Sequence, residues 1–138
     1  MAWVPFASVV RMLDDRTRSL CEGANYAALT TLFADGDPQT QIMWVGCDED
    51  HVLINTEIHR AKFKNIERDP RVTVTIWESG NPYSYVEVRG RVTDIVRGDA
   101  ARANIDELAQ KYTQADYANE VTSERVVLRI TPDRELIH

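Results

Sequence analysis

Apolar and polar residues alternate along much of this chain, a period of two that marks strands with one buried face. The cleanest stretch is Arg71 to Trp77, where Val72, Val74 and Ile76 face one way and Thr73, Thr75 and Trp77 the other. Glu124 to Thr131 repeats the pattern with Val126, Leu128 and Ile130. Tyr83 to Ile95 predicts a longer strand in which Val86, Val88 and Val92 share a face with Gly90. A glycine there points to a bulge or to the close approach of another backbone. On the polar face of that strand, Glu87 and Arg89 predict a structural ion pair. Upstream, Asn25 to Phe33 and Gln39 to Cys47 flank Ala34-Asp-Gly-Asp-Pro38, whose composition predicts a turn and so a hairpin. Val52 to Thr56, after the turn residues Asp48-Glu-Asp50, predicts a further strand.

Helical spacing governs other segments. Ser8 to Glu22 predicts an amphipathic helix, with Val9, Met12, Leu13, Leu20 and Cys21 on its apolar side and Gly23 as its stop. A short helix is expected over about Ala61 to Arg68, with Phe63 and Ile66 inward. Asp69-Pro70 ends it, because the residue before a proline disfavours helical backbone. Asp99 to Tyr112 predicts a third helix, with Asp99 as N-cap and Ile105 and Leu108 inward. Thr113 to Val121 is expected to be irregular or a short helix. About six strands joined mostly by short turns predict a mainly-β, α+β protein whose antiparallel sheet closes toward a barrel.

Composition narrows what such a barrel could bind. A chain of 138 residues is long enough to bury a core and is expected to form one domain, residues 1–138. Its 16 Lys and Arg against 22 Asp and Glu give a formal charge of −6, which argues against a nucleic-acid partner. A small anionic ligand is not excluded, since a local cluster of cations outweighs distant charge. No apolar run approaches the roughly 20 residues that span a bilayer, and the first residues lack the pattern of a secretory signal. A cytoplasmic protein is expected, with Cys21 and Cys47 as unpaired thiols. No grouping of His, Cys and carboxylate has ligand spacing, so no metal is expected.

One basic stretch stands out in this acidic chain. Arg60-Ala-Lys-Phe-Lys-Asn65 follows the strand His51-Val-Leu-Ile-Asn-Thr56. A helix that opens just after a strand aims free N–H groups at whatever lies in front of it. Adding Arg60, Lys62 and Lys64 makes a pocket for phosphate or carboxylate; the alternative is a surface helix with solvated cations. No nucleophile or acid–base dyad is evident elsewhere. Trp44 and Trp77 read as packing residues, and His59 as a loop residue beside the basic stretch.

Three segments in register carry a resemblance: Leu29-Thr-Thr-Leu to Asp35-Gly-Asp-Pro38 and Met43-Trp-Val45; Asn55-Thr to Arg60-Ala-Lys-Phe-Lys-Asn-Ile and Asp69-Pro-Arg-Val72; and Asn81-Pro-Tyr-Ser-Tyr-Val-Glu-Val-Arg-Gly-Arg-Val92. Over roughly residues 25–131 the chain resembles the pyridoxamine-phosphate-oxidase-like split-barrel superfamily, and within it the members that use the deazaflavin coenzyme F(420) instead of FMN. The resemblance implies a six- to seven-stranded antiparallel split β-barrel with a few flanking helices, assembled as a homodimer with cofactor sites at the interface. It implies that Arg60 and Lys62 hold the cofactor phosphate, with Thr56 and Asn65 as helpers and Lys64 near the anionic tail. Gln41 and Met43, on the strand that runs along the ring system, are expected to face the deazaflavin. The implied activity is an F(420)-dependent oxidoreductase moving hydride between ring carbon 5 and a small unsaturated acceptor. An FMN-dependent oxidase or reductase, and a carrier that binds F(420) or FMN without turnover, are the alternatives.

Overall fold

The computed structural model describes residues 11–138. In chain order they form helix α1 (Asp15–Glu22), strands β1 (Ala27–Leu32), β2 (Pro38–Met43), β3 (Gly46–Cys47) and β4 (Val52–Glu57), helix α2 (Ala61–Arg68), strands β5 (Arg71–Glu78) and β6 (Asn81–Val96), helix α3 (Asp99–Thr113) and strand β7 (Arg125–Ile137). All seven strands belong to one sheet in the order β2-β1-β5-β6-β7-β4-β3. Each neighbouring pair is antiparallel.

That order dictates curvature. Seven strands spaced about 4.8 Å apart would hold the two edges of a flat sheet roughly 29 Å apart. Yet the edge strands β2 and β3 are separated only by Trp44 and Val45, and three Cα steps reach at most about 11 Å. The sheet must therefore curl until its edges nearly meet, giving a split barrel of mainly-β architecture with three helices against it. Its core is the inward set the alternation predicts: Val74, Ile76, Val86, Val88, Leu128 and Ile130 are all fully buried. Val127 is buried too, because α3 packs on β4 and β7 and covers their outer face.

Gly90 is the close approach expected from its place in a strand. A Cβ built there would lie 2.3 Å from the Thr131 carbonyl oxygen and 3.1 Å from Pro132 Cα. The β6–β7 register shifts at this point, with Gly90 opposite Pro132. A proline that cannot donate to the ladder is tolerated at such an irregularity, so β7 continues to Ile137 where the sequence pattern suggested an end at Thr131. Glu87 and Arg89 form the expected pair, with Arg89 Nε donating to the Glu87 carboxylate at 2.8 Å.

Four boundaries differ from the expectations above. The hairpin strand predicted over Gln39 to Cys47 is two strands, because the backbone at Val45 bonds to side chains of α3 and not to a neighbouring strand. The Val45 N–H donates to the Tyr112 hydroxyl at 3.1 Å, and the Val45 carbonyl accepts from Lys111 Nζ at 2.6 Å. The first helix begins at Asp15 and not at Ser8; Ser8 and Val9 lie outside the described residues. Met12, expected to face inward, is 64% exposed. In α3 the cap is Gly98, at φ 72°, with Asp99 as the first helical residue. The turn before β6 is only Ser79-Gly80, with Gly80 at φ 85° and Asn81 and Pro82 already in the strand.

Asp14 fixes the start of α1, its carboxylate accepting from the Arg16 N–H at 2.8 Å. Asp14→Ala should cost about 1 kcal/mol, the usual loss for an N-cap. A differential scan should show the melting point lowered by about 4 °C; no change would mean that solvent replaces the cap without loss. Among the described residues, no helix is long and apolar enough to cross a membrane.

Candidate active site

The C-terminal end of β4 delivers Asn55, Thr56 and Glu57, a two-residue turn follows, and α2 then opens with Arg60 at its N-cap position. The Arg60 side chain makes no capping hydrogen bond, so its guanidinium is left to the space in front of the helix. That space is a cavity of about 250 Å³ lined by Met43 and Trp44 from the end of β2, Asn55, Thr56, Arg60, Lys62, Ile105 and Leu108 from α3, Tyr117, Asn119 and Arg125. Two of its walls are apolar side chains of α3, and the rest are polar or aromatic.

Of the residues expected at a ligand site, the structure brings Arg60, Lys62, Thr56 and Met43 to this cavity and leaves three outside its lining. Gln41 is exposed on the edge strand β2, in register with Leu29 of β1. Lys64 is exposed on α2. At about 100° per residue it stands some 200° around the helix from Lys62, so the two cannot share a face. Asn65 is 2% exposed, and its amide is spent inside the fold. It donates to the Thr31 hydroxyl at 3.0 Å and to Gln39 Oε1 at 3.2 Å, tying α2 to the β1–β2 hairpin.

The cavity is strongly cationic. Among the described residues neither Arg60 nor Lys62 has a carboxylate within ion-pair distance. Burial, then the charges of Arg60 and Arg125, bring Lys62 down from the usual lysine value to about 8. Such a shift means that the protonated amine is in an environment short of negative charge. Perturbation of this kind in a cleft is the pattern of a binding site.

Arg125, Tyr117, Asn119 and Asn55 are lining residues that the sequence pattern did not single out. Arg125 is 8% exposed and stands directly across the β4–β7 ladder from Glu57. Its Nη1 donates to Asn55 Oδ1 at 3.3 Å and its Nη2 to the Tyr117 hydroxyl at 2.5 Å. Asn55 in turn donates to the Ala101 carbonyl and Asn104 of α3, at 2.9 and 3.0 Å. The Arg125 guanidinium also lies 4.8 Å from the Tyr117 ring centroid, within cation–π range. Trp44 stacks on Tyr112 at 5.0 Å, so one face is packing while the side chain still lines the cavity. The signal available in the sequence was a charged residue heading the apolar run Val126-Val-Leu128.

Glu57 is 2% exposed and closes the network beneath the cavity. It accepts from the Thr122 N–H at 3.0 Å and the Thr122 hydroxyl at 3.2 Å, and lies 3.8 Å from Arg125 Nε and 3.4 Å from His59 Nδ1. Burial pushes this carboxyl up, but the Thr122 N–H, the Arg125 charge, the Thr122 hydroxyl and His59 outweigh it and hold it below the ordinary glutamate value. Elsewhere, Asp48, Asp50 and His51 bring ligand-type atoms within 4.8 Å of one another. Arg129 Nη2, 2.9 Å from Asp48, already supplies positive charge there.

The chain is similar to known proteins in fold and sequence. A solved F(420) reductase is 32% identical, with 86% of this chain and 94% of that chain covered and a TM-score of 0.75. General Stress Protein 26 from Bacillus anthracis shares the fold at 18% identity, with 90% and 97% covered and a TM-score of 0.65. The family model for pyridoxamine 5'-phosphate oxidase matches residues 13–138. The chain belongs to the pyridoxamine 5'-phosphate oxidase family.

Proposed function

We propose that this protein is an F(420)-dependent oxidoreductase, working as a homodimer, that transfers hydride to a small unsaturated organic acceptor. The observation that carries the reading is the meeting of Arg60, Lys62 and Thr56 with Met43 and Trp44 around one cavity whose lining has cations and no carboxylate. Likeness to an F(420) reductase over most of both chains supports the deazaflavin over FMN. The cationic lining fits a phosphate-bearing cofactor. At about 250 Å³ the cavity is smaller than a typical ligand pocket and would enclose one end of such a molecule. The rest would lie along β2 and against a second subunit.

What the cofactor supplies when bound is the hydride chemistry itself. In this reading Arg60 and Lys62 hold the phosphate, Met43 and Trp44 limit where the ring can lie, and Ile105 and Leu108 exclude water from that end of the site. Lys64 and Gln41 lie outside the cavity lining and take no part in holding the phosphate in this reading; Asn65 acts through the hairpin it holds.

Titrating the protein with F(420) and, separately, with FMN tests this by quenching of tryptophan fluorescence. Tight F(420) binding with weak FMN binding is expected; the reverse order would assign the protein to FMN chemistry, and binding of neither would remove the cofactor assignment. Lys62→Ala should weaken the bound cofactor by roughly ten- to a hundredfold, the value of a charge-assisted hydrogen bond of about 1.5–3 kcal/mol. Because Lys62 titrates near 8, affinity should fall as pH rises through that value, and Lys62→Ala should lack this component. Equal affinities in both proteins at neutral pH would sink the phosphate role of Lys62.

A further inference from the structure

We propose that Cys21 and Cys47 form an oxidisable dithiol, in which Cys47 reacts with a hydroperoxide and Cys21 then closes a disulfide between α1 and β3. The inference stands apart from the cofactor reading, since neither thiol lines the cavity.

Both cysteines are free thiols, and the fold brings them together from opposite ends of the β1–β2 hairpin. Cys21 is the penultimate residue of α1 and is fully buried. Cys47 ends β3, is half-buried, and packs against the core cluster to which Cys21 belongs. Two sets of bonds hold these elements face to face. Arg18 of α1 donates to the Asp48 and Glu49 carbonyls, at 3.3 and 2.5 Å, just beyond Cys47. Lys111 Nζ donates to the Cys21 carbonyl at 2.8 Å and, just before Cys47, to the Val45 carbonyl at 2.6 Å. Between these clamps the Cys21 thiol donates a hydrogen bond to the Cys47 sulfur.

The two sulfurs are not equivalent. That hydrogen bond, helped by the Arg18 and Lys111 charges, holds the Cys47 thiol below the ordinary cysteine value against burial and Glu22. The same bond, then burial and the Cys47 charge, pushes the Cys21 thiol up while Lys111 opposes. A thiolate is the nucleophile, so Cys47, partly open to solvent, is the sulfur that meets an oxidant. Its thiolate attacks one peroxide oxygen and the O–O bond breaks. The sulfur, oxidised by two electrons, becomes a sulfenic acid, and the leaving oxygen takes up the proton that Cys47 gave to solvent. The Cys21 sulfur then attacks the Cys47 sulfur. An S–S bond forms, the S–O bond breaks, and the departing hydroxide takes the Cys21 proton and leaves as water. Closure draws the sulfurs nearer than a hydrogen bond does. The strand β3 can yield that distance, being a two-residue strand at the sheet edge whose ladder partner is β4.

The test treats the full chain with a slight excess of hydrogen peroxide, in wild type, Cys47→Ser and Cys21→Ala. Intact mass is read first, then iodoacetamide labelling after unfolding. Wild type is expected to lose two hydrogens, to shield both cysteines from the label, and to recover both thiols with dithiothreitol. Peptide mapping without reductant should join the Cys21 and Cys47 peptides within one chain. Cys21→Ala should stop at the sulfenic acid, a gain of one oxygen that dimedone traps. Cys47→Ser, left with the buried thiol alone, should oxidise more slowly by about tenfold or more. Should Cys21→Ala fail to fold, the wild-type mass and peptide map decide by themselves. Four results would each overturn the proposal: wild-type thiols still labelled after peroxide, a Cys47 that stays sulfenic beside a free Cys21, disulfides formed only between chains, or Cys47→Ser oxidised as fast as wild type.

Discussion

Gly90→Ala is expected to lower the melting temperature by about 12 °C, the largest effect of any single added methyl group in this sheet. The added Cβ would meet the Thr131 carbonyl oxygen at 2.3 Å and Pro132 Cα at 3.1 Å. Both are backbone atoms of the neighbouring strand, so no side chain can swing away to make room. The strands β6 and β7 would have to part along the longest pairing in the barrel. Overpacking of this kind costs about 3 kcal/mol, or more where backbone must move, and for a chain of this length each kcal/mol is worth roughly 4 °C. Gly46→Ala is the control, because its Cβ would sit 3.5 Å from a Leu108 methyl, an ordinary contact. If Gly90→Ala melted alongside wild type, β6 and β7 could not be packed this closely at Gly90.

The second large effect is expected from Glu57→Ala. Removing the one carboxylate beneath the cavity leaves Arg125 buried beside Lys62 and Arg60 with no countercharge. Breaking one partner of a buried pair costs about 3 kcal/mol or more at neutral pH. The pH dependence has a definite sign. The Glu57 carboxyl is held below its ordinary value in the folded protein, so its stabilisation is fully present above the unfolded glutamate value of about 4.3. It is lost as pH falls through the lower folded value. Urea unfolding of both proteins should therefore show a gap that is constant from about pH 7 to 5 and narrows below about pH 4. A gap that ignored pH would mean that the loss comes from packing and the Thr122 bonds rather than from charge.

How much of this was legible in the sequence depends on the range of the forces involved. The faces of β5, β6 and β7 were readable because each strand buries one side against a common core, and alternation records that locally at Val72, Val74 and Ile76. Gly90 was readable because few other reasons put a glycine between valines in a strand. The break at Trp44-Val45 was not, since it is decided by Lys111 and Tyr112, more than sixty residues away. The basic stretch pointed to Arg60 and Lys62, but alternate positions on a helix diverge, which is why Lys64 faces elsewhere and Asn65 is consumed by Thr31 and Gln39. Arg125 could be recognised only once β4 and β7 are paired and Glu57 stands opposite it. Local patterns report one element's own surface; a cavity assembled from five elements is a statement about how they pack together.

The bonds from Tyr112 and Lys111 to Val45 have a consequence for when the cavity exists at all. They close a loop of more than sixty residues, so they carry a chain-closure cost that nearer contacts do not, and they join the strand that supplies Met43 and Trp44 to the helix that supplies Ile105 and Leu108. A partly folded chain, with β5 and β6 paired but α3 undocked, has no cavity to offer. Any ligand that fills it therefore recognises the complete fold and no intermediate, and its binding energy is delivered to the whole cooperative unit. Saturation at a hundred times the dissociation constant would stabilise the entire barrel by about 2.7 kcal/mol, making the resistance of distant strands to unfolding a readout of occupancy at the cavity.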